Sequence, residues 1–440
     1  MTSSISPLIP ILAGCLLAAG CLFGTFYNLR RKRLVDDTPT SKTQGVFIGV
    51  SELKGSAESE HPFQGYLSGG PSVLYDWIVE EHWQRTVVET STDSKGHVQT
   101  RTRSESGWKK VAGGGESAPF YLRDDSGIIL IRPEGAKINP RTTFNQTVKP
   151  DSSLYYDKGP ASEIPNSTHQ RRLIEHAIPL HEQLYVIGQA RLRDDLAAAE
   201  IAYDKNCLLY LISLNSEKQI VAGYSWGMWG FFLGGLLVAL GSAIGWRAAD
   251  SPSALFDPLT LILAALIYAA VFVLLWAWTA FNSLINQHHR VEQAWSQVEI
   301  QLKRRFDLIP NLMKVVEGYR GHEAGTLELL SALRGQMEAT PPGQPGPDYK
   351  GLASVLRIAV ENYPDLKASE NFLGLQNSLV ETEEKIALAR DYYNQTTTFY
   401  NTRISIVPDR LIAALARLRP ASLMGAQDFE RAPVKVNLSA

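Results

Sequence analysis

The chain has 440 residues, with 43 basic and 45 acidic side chains, and this near balance provides no positive field to attract nucleic acid. Its three cysteines, Cys15, Cys21 and Cys207, exclude a disulfide framework, a zinc knuckle and a Cys-x-x-Cys redox pair. The length allows two or three domains.

The first predicted element is an apolar helix from Leu8 to Leu29, followed at once by Arg30, Arg31, Lys32 and Arg33. A cleaved signal peptide carries its basic cluster before the apolar core, so this order favours an uncleaved membrane span. Leu12-Ala13-Gly14-Cys15 has the form of a lipoprotein cleavage box, which would put lipid on Cys15 in place of the span. Against it, Pro7 and Pro10 shorten the apolar run before the box, and another long apolar run follows.

Residues 34–224 change character. Short alternating apolar runs separated by Gly, Pro, Ser and Asp predict a mainly β domain. Candidate strands are Val46 to Val50, Val73 to Val88, Phe120 to Arg123, Ile128 to Ile131, Leu184 to Ala190 and Cys207 to Leu214. Asp124-Asp125-Ser126-Gly127 suits a tight turn, predicting a hairpin. The polar stretches Thr90 to Gly107 and Asn139 to His169 are expected to be loops, and Gly113-Gly114-Gly115 a flexible loop.

The pieces Pro62-Phe63-Gln64-Gly65, Tyr75-Asp76-Trp77, Pro119 to Asp124, Ile131 to Ala136 and Leu184 to Gly188 resemble, in order and spacing, the membrane-flanked domain of Mulan/GIDE-type ubiquitin ligases. Ligase activity in those proteins needs a RING finger with Cys and His zinc ligands, and this sequence has no such cluster. The resemblance therefore implies a binding or regulatory β module without ligase activity.

Two further spans are predicted, Trp226 to Trp246 within residues 225–248 and Leu259 to Phe281, separated by a short external loop at 249–258. Trp226, Trp229, Trp246, Trp276 and Trp278 stand where interfacial anchors are expected. Gly230 with Gly234, and Gly241 with Gly245, are spaced for close helix approach, or else reflect the glycine richness of spans. The lipid bilayer is thus the first partner. Basic residues after the first and third spans place the N-terminus outside and the larger domains in the bacterial cytoplasm, as an inner-membrane protein.

No Pro or Gly separates the third span from the amphipathic stretch beyond it, in which Val291, Trp295, Val298, Leu302, Phe306, Ile309 and Met313 share one face. A helix continuous with the span is predicted, kinked at Pro310. Phe372, Leu375, Leu379, Thr382, Ile386, Ala389, Tyr393, Thr396 and Tyr400 predict a second long seam. Between them lie candidate helices Glu323 to Met337 and Tyr349 to Asn362, a connector at Pro341 to Pro347, a helix end at Tyr363 and a new start near Ala368. Lys303, Arg304 and Arg305 are read as a solvated face, because Glu299 and Asp307 lie one turn away. Ile406 to Leu418, with Arg410, Arg417 and Arg419, fits either a helix on the membrane surface or one packed on the bundle.

Ala294 to Leu312, Glu361 to Leu373, Glu381 to Arg390, Tyr393-Asn394 and Tyr400-Asn401-Thr402 are similar to the signature of the LemA family. The resemblance implies an antiparallel helical bundle over residues 282–440 on a membrane anchor facing the cytoplasm, without established catalytic residues. The fold class expected is thus an α+β membrane protein. It comprises the first span with its basic flank (1–33), the β domain, two more spans and the bundle.

No catalytic, cofactor-binding or metal residue is assigned. Gly223-Tyr224-Ser225-Trp226-Gly227 matches a hydrolase nucleophile elbow in letters, but it opens a span where an α/β sheet is needed. His181-Glu182 and His322-Glu323 are not completed to His-Glu-x-x-His. The expected role is a non-enzymatic scaffold, forming a homo-oligomer and recruiting envelope protein partners, without cofactors. The alternative is an accessory subunit of a membrane protease.

Overall fold

Long apolar runs and short alternating ones bury their surface in different ways, and they fold here into separate units. The computed structural model describes residues 8–92, 98–193, 198–205, 207–250, 256–318 and 370–424. One unit comprises Met1–Pro39 and Val221–Ala440, the other Thr40–Ile220. The helices are α1 (Leu8–Asp36), α2 (Ser153–Asp157, in the β-rich unit), α3 (Glu217–Asp250), α4 (Pro258–Gly318), α5 (Glu370–Ser405) and α6 (Asp409–Leu415).

Three helices, α1, α3 and α4, are long and apolar enough to cross a membrane. Between α1 and α3 the contacts run antiparallel, since a Cβ on Gly14 would meet Ser242, one on Gly24 Phe231, and one on Gly227 Asn28. Phe26 stacks on Phe272 at 5.5 Å, and Tyr268 donates to the Phe232 carbonyl at 3.0 Å. A Cβ on Gly235 would stand 2.3 Å from the Tyr268 hydroxyl, so only glycine allows this approach. The expected Gly pairs are not the ones used. Gly230, Gly234 and Gly241 meet nothing within 4 Å, and Gly245 meets only Pro10.

Helix α4 runs 61 residues from the third span, through Phe281 and Pro310, to Gly318. Its partner α5 is antiparallel: His288 lies against Tyr400, Trp295 against Tyr393, and Arg305 against Glu383, so equal steps run in opposite directions. Leu379, Thr382, Ile386, Ala389, Tyr393, Thr396 and Tyr400 are buried along this seam, facing Val291, Val298 and Leu302. The side chains of Phe306, Ile309, Met313 and Phe372 lie outside those described, as do the helices expected at Glu323 to Met337 and Tyr349 to Asn362, the Pro341 to Pro347 connector and Tyr363.

The β-rich unit has thirteen described strands: β1 (Thr40–Ser41), β2 (Gly49–Glu58), β3 (Phe63–Gln64), β4 (Pro71–Thr92), β5 (Val98–Ser117), β6 (Phe120–Arg123), β7 (Ile128–Ile131), β8 (Lys137–Asn139), β9 (Arg141–Val148), β10 (Ser167–Pro179), β11 (Gln183–Leu192), β12 (Ala199–Ala202) and β13 (Leu211–Ser213). Strands β2, β6, β7, β12 and β11 pair in that order, and β11 pairs back with β2, closing a five-stranded barrel. Its interior is filled by Leu53, Phe120, Leu122, Ile131, Val186, Ile201 and Ile212. In the second sheet β9, β10, β4 and β5 are antiparallel neighbours.

The hairpin at 124–127 forms as expected between β6 and β7. Other expectations need correction. Within Thr90 to Gly107, β4 reaches Thr92 and β5 starts at Val98; within Asn139 to His169, β9, α2 and the start of β10 are regular, and the residues between them are turns and irregular backbone as expected. Gly113–Gly115 form part of β5, because a Cβ on Gly115 would stand 2.5 Å from the Tyr75 carbonyl and one on Gly114 would crowd the Trp77 indole. The strand expected at Val46 begins at Gly49, after a 3-10 turn at Thr43–Gly45, and the one expected from Cys207 shrinks to Leu211–Ser213.

Candidate functional site

Where α1 ends and α5 turns into α6, several charged groups are withdrawn from water together. Arg403 on α5 donates from Nη1 to Asp37 at 2.5 Å and from Nε to Asp409 at 2.6 Å. Arg33 of α1 lies 3.6 Å from the other Asp409 oxygen. Arg290 of α4 donates to the Thr38 hydroxyl at 2.8 Å, and that hydroxyl donates to the Leu34 carbonyl at 2.6 Å. Asp37, Thr38 and Asp409 are buried. Burial pulls the Arg403 guanidinium down, but Asp37 and Asp409 outweigh it and hold it above its ordinary value. Burial pushes the Asp37 carboxyl up against the pull of Arg403. Four helices are thus tied together beside the end of the first span.

The chain then doubles back along α5. Tyr400 donates to the Arg419 carbonyl and Tyr393 to the Ser422 carbonyl, at 3.0 and 2.7 Å. Asn401 pairs with the backbone of Ala421, its amide donating at 2.8 Å and its carbonyl accepting at 2.9 Å. Asn394 does the same with Met424, at 3.1 and 2.9 Å. Two Tyr-Asn pairs seven residues apart, two helical turns, present their amides on one face as a substitute strand edge. The sequence displayed these pairs; their partners were hidden because the returning segment has no periodicity.

Lys303 and Arg304 are exposed, as a solvated face requires, but Arg305 is not: it is buried 3.9 Å from Glu383 of α5. An arginine on the seam escapes a pattern reading that counts only apolar positions. Burial pushes Glu383 up to about 8, against the pull of Arg305 and Arg390.

The β-rich unit also buries carboxylates, each with protein partners. Glu175 accepts from the Leu67 and Ser68 amides and from the Ser68 and Thr143 hydroxyls. Glu81 pairs with buried Arg171 at 3.0 Å, and Glu200 lies between Arg132 and Arg191. Burial raises the Asp124 carboxyl, but donors from Thr43, Ser126 and Gly127 outweigh it and hold it at about 2. These contacts fix turns and strands and leave no carboxylate poised for proton transfer among those named.

Ser225 lies inside α3 with helical residues on both sides, not at a strand-to-helix turn, and no base stands beside it among the described contacts. His181 stands 2.8 Å from Glu58, and His169 2.9 Å from Glu163. Among the described residues no group of three His, Cys, Asp or Glu side chains is placed to hold a metal ion.

Residues 294–438, which contain most of the α4–α5 seam, the ionic junction of α5 with α6 and both Tyr-Asn pairs, match the family model described as LemA family. The chain carries a LemA-family domain. Residues 88–245 match a model described as E3 ubiquitin ligase, spanning the outer part of β4 through most of α3, without a RING finger. The LemA domain is 25% identical over 158 residues to Protein LemA of Metamycoplasma hominis, a match covering 35% of this chain and 72% of that protein. Magnetosome protein MamQ 2 of Paramagnetospirillum magneticum is 21% identical over 173 residues, covering 32% of this chain and 63% of its own length. MamQ of Magnetospirillum gryphiswaldense is 20% identical over 183 residues, with 34% and 66% covered. The chain thus spans less than two thirds of these MamQ relatives.

Proposed function

We propose that this protein is a non-enzymatic scaffold of the bacterial inner membrane, with its N-terminus outside and both the β-rich unit and the LemA domain displayed on the cytoplasmic face. It self-associates and recruits envelope partners. The observation that carries the reading is the fixed attachment of the LemA domain: α4 passes from span to domain as one helix, and Arg403, Asp37 and Asp409 lock α5 and α6 to the end of α1. A domain fixed in this way has an orientation set by the membrane, which suits ordered lateral assembly. Support also comes from Gly230, Gly234 and Gly241, whose open positions on α3 leave a helix surface free for close approach in the bilayer.

Native mass spectrometry of the full chain in lipid nanodiscs tests the proposal. One homo-oligomer of defined mass is expected. A monomer, or a complex in fixed ratio with a foreign chain such as a membrane protease, would overturn self-assembly.

A further inference from the structure

Helix α6 is amphipathic in an unusual place. Asp409 and Ala413 are buried toward the bundle, while Val407, Leu411 and Leu415, spaced by four, are 72%, 67% and 84% exposed. Ile406 beside them is also exposed, and so are Arg410, Arg417 and Arg419. Ile412 and Leu418, the other large apolar side chains of the segment, are half-buried.

The α4–α5 register fixes where this face stands. Continuing the pairing of Trp295 with Tyr393 and His288 with Tyr400 brings Ser405, the last residue of α5, opposite Ser283. Ser283 lies two residues beyond Phe281, where the apolar run of the third span ends, so the turn into α6 is about 3 Å past the hydrocarbon edge. Asp409 confirms the level from the other side, bonding Arg403 and standing 3.6 Å from Arg33 in the basic flank of the first span. The exposed face therefore stands about level with the end of the apolar run of the third span.

We propose that α6 is a membrane-surface foot: Val407, Leu411 and Leu415 enter the acyl boundary, and Arg410, Arg417 and Arg419 meet anionic lipid headgroups. An apolar face beside arginines is the chemistry of an interfacial helix. Arg417 adds to the argument. It closes α6 with φ 55, its amide donating to the Ala414 carbonyl at 3.1 Å and that of Leu418 to Ala413 at 3.0 Å. Glycine is the usual residue at this left-handed position, yet a cation occupies it. This inference rests on the reading that α1, α3 and α4 span a bilayer.

The test is spin-label accessibility on the full chain in nanodiscs containing anionic phosphatidylglycerol, with Cys15, Cys21 and Cys207 replaced by serine. Labels are placed at Leu411→Cys, Leu415→Cys and, as an internal reference, Leu237→Cys in the second span, which is 69% exposed. The proposal expects all three to favour oxygen over an aqueous nickel complex, with 411 and 415 shallower than 237. It also expects 411 and 415 to shift toward water when Arg410, Arg417 and Arg419 are changed together to glutamine. Aqueous preference at 411 and 415 with lipid preference at 237 would overturn the foot alone. Low accessibility to both reagents at 411 would mean that protein covers the face and would also overturn it. Aqueous preference at 237 would instead remove the spanning reading on which it rests.

Discussion

Arg403 holds two carboxylates from different helices out of water, and each of its partners was desolvated to reach it. Truncating such a cation leaves Asp37 buried without its direct partner and Asp409 with Arg33 at 3.6 Å, and losses of this kind cost about 3–5 kcal/mol. Arg403→Ala is therefore expected to lower the thermal midpoint of the helical unit sharply, read by circular dichroism in nanodiscs; an unchanged midpoint would show that the junction carries no stability. Glu383 presents the opposite case. Its carboxyl is raised from 4.5 to about 8 by burial, so between these values the folded chain keeps a proton that the unfolded chain has released. Its stabilising contribution is full below pH 4.5 and is lost as the pH rises through 8, with a slope of at most about 1.4 kcal/mol per pH unit. Glu383→Gln should flatten the fall of the unfolding midpoint across that window. An identical slope in the variant would contradict the assignment.

At the scale of elements, legibility depended on whether buried positions were apolar. Strands β6 and β7 were readable because Phe120, Leu122, Ile129 and Ile131 alternate around the Asp124 turn. The start of β10 was not, because its inward face reads Arg171, Leu173, Glu175, Ala177, with two charges whose partners come from distant strands and loops. The sequence predicts β4 as far as Val88, but the outer part of β5 is hidden in it for another reason. Beyond Trp83, which pairs with Ser167, β10 no longer flanks β4, and the ribbon runs on as two strands with nothing to cover and no apolar face to reveal it. Two-stranded ribbons are marginal in water. Amides from Arg85 to Val88 are accordingly expected to exchange at least about 100-fold faster than those of Ile78 and Val79, which lie between two strands. Equal protection by hydrogen-exchange mass spectrometry would mean that another chain covers the arm. In the helical unit the seams were legible and the buried Arg305 was not, for the same reason as β10: a charged residue occupies a position that the pattern reserves for apolar ones.

For the whole molecule, the sequence order and the antiparallel packing of α1 against α3 make the chain leave and re-enter the spans at one end, and α4 continues from that end into the LemA domain. On the proposed reading both larger parts are displayed on one side of the membrane, the side that the cluster Arg30 to Arg33 would make the cytoplasm. The most direct measurement is labelling of single cysteines by a membrane-impermeant maleimide, with the native cysteines replaced. One is placed at Ser104→Cys on β5 and one at Glu384→Cys on α5, both exposed positions. The account predicts that neither is labelled in intact spheroplasts and that both are labelled in inverted vesicles. Labelling of either from the outside of intact cells would contradict display of both on the cytoplasmic face.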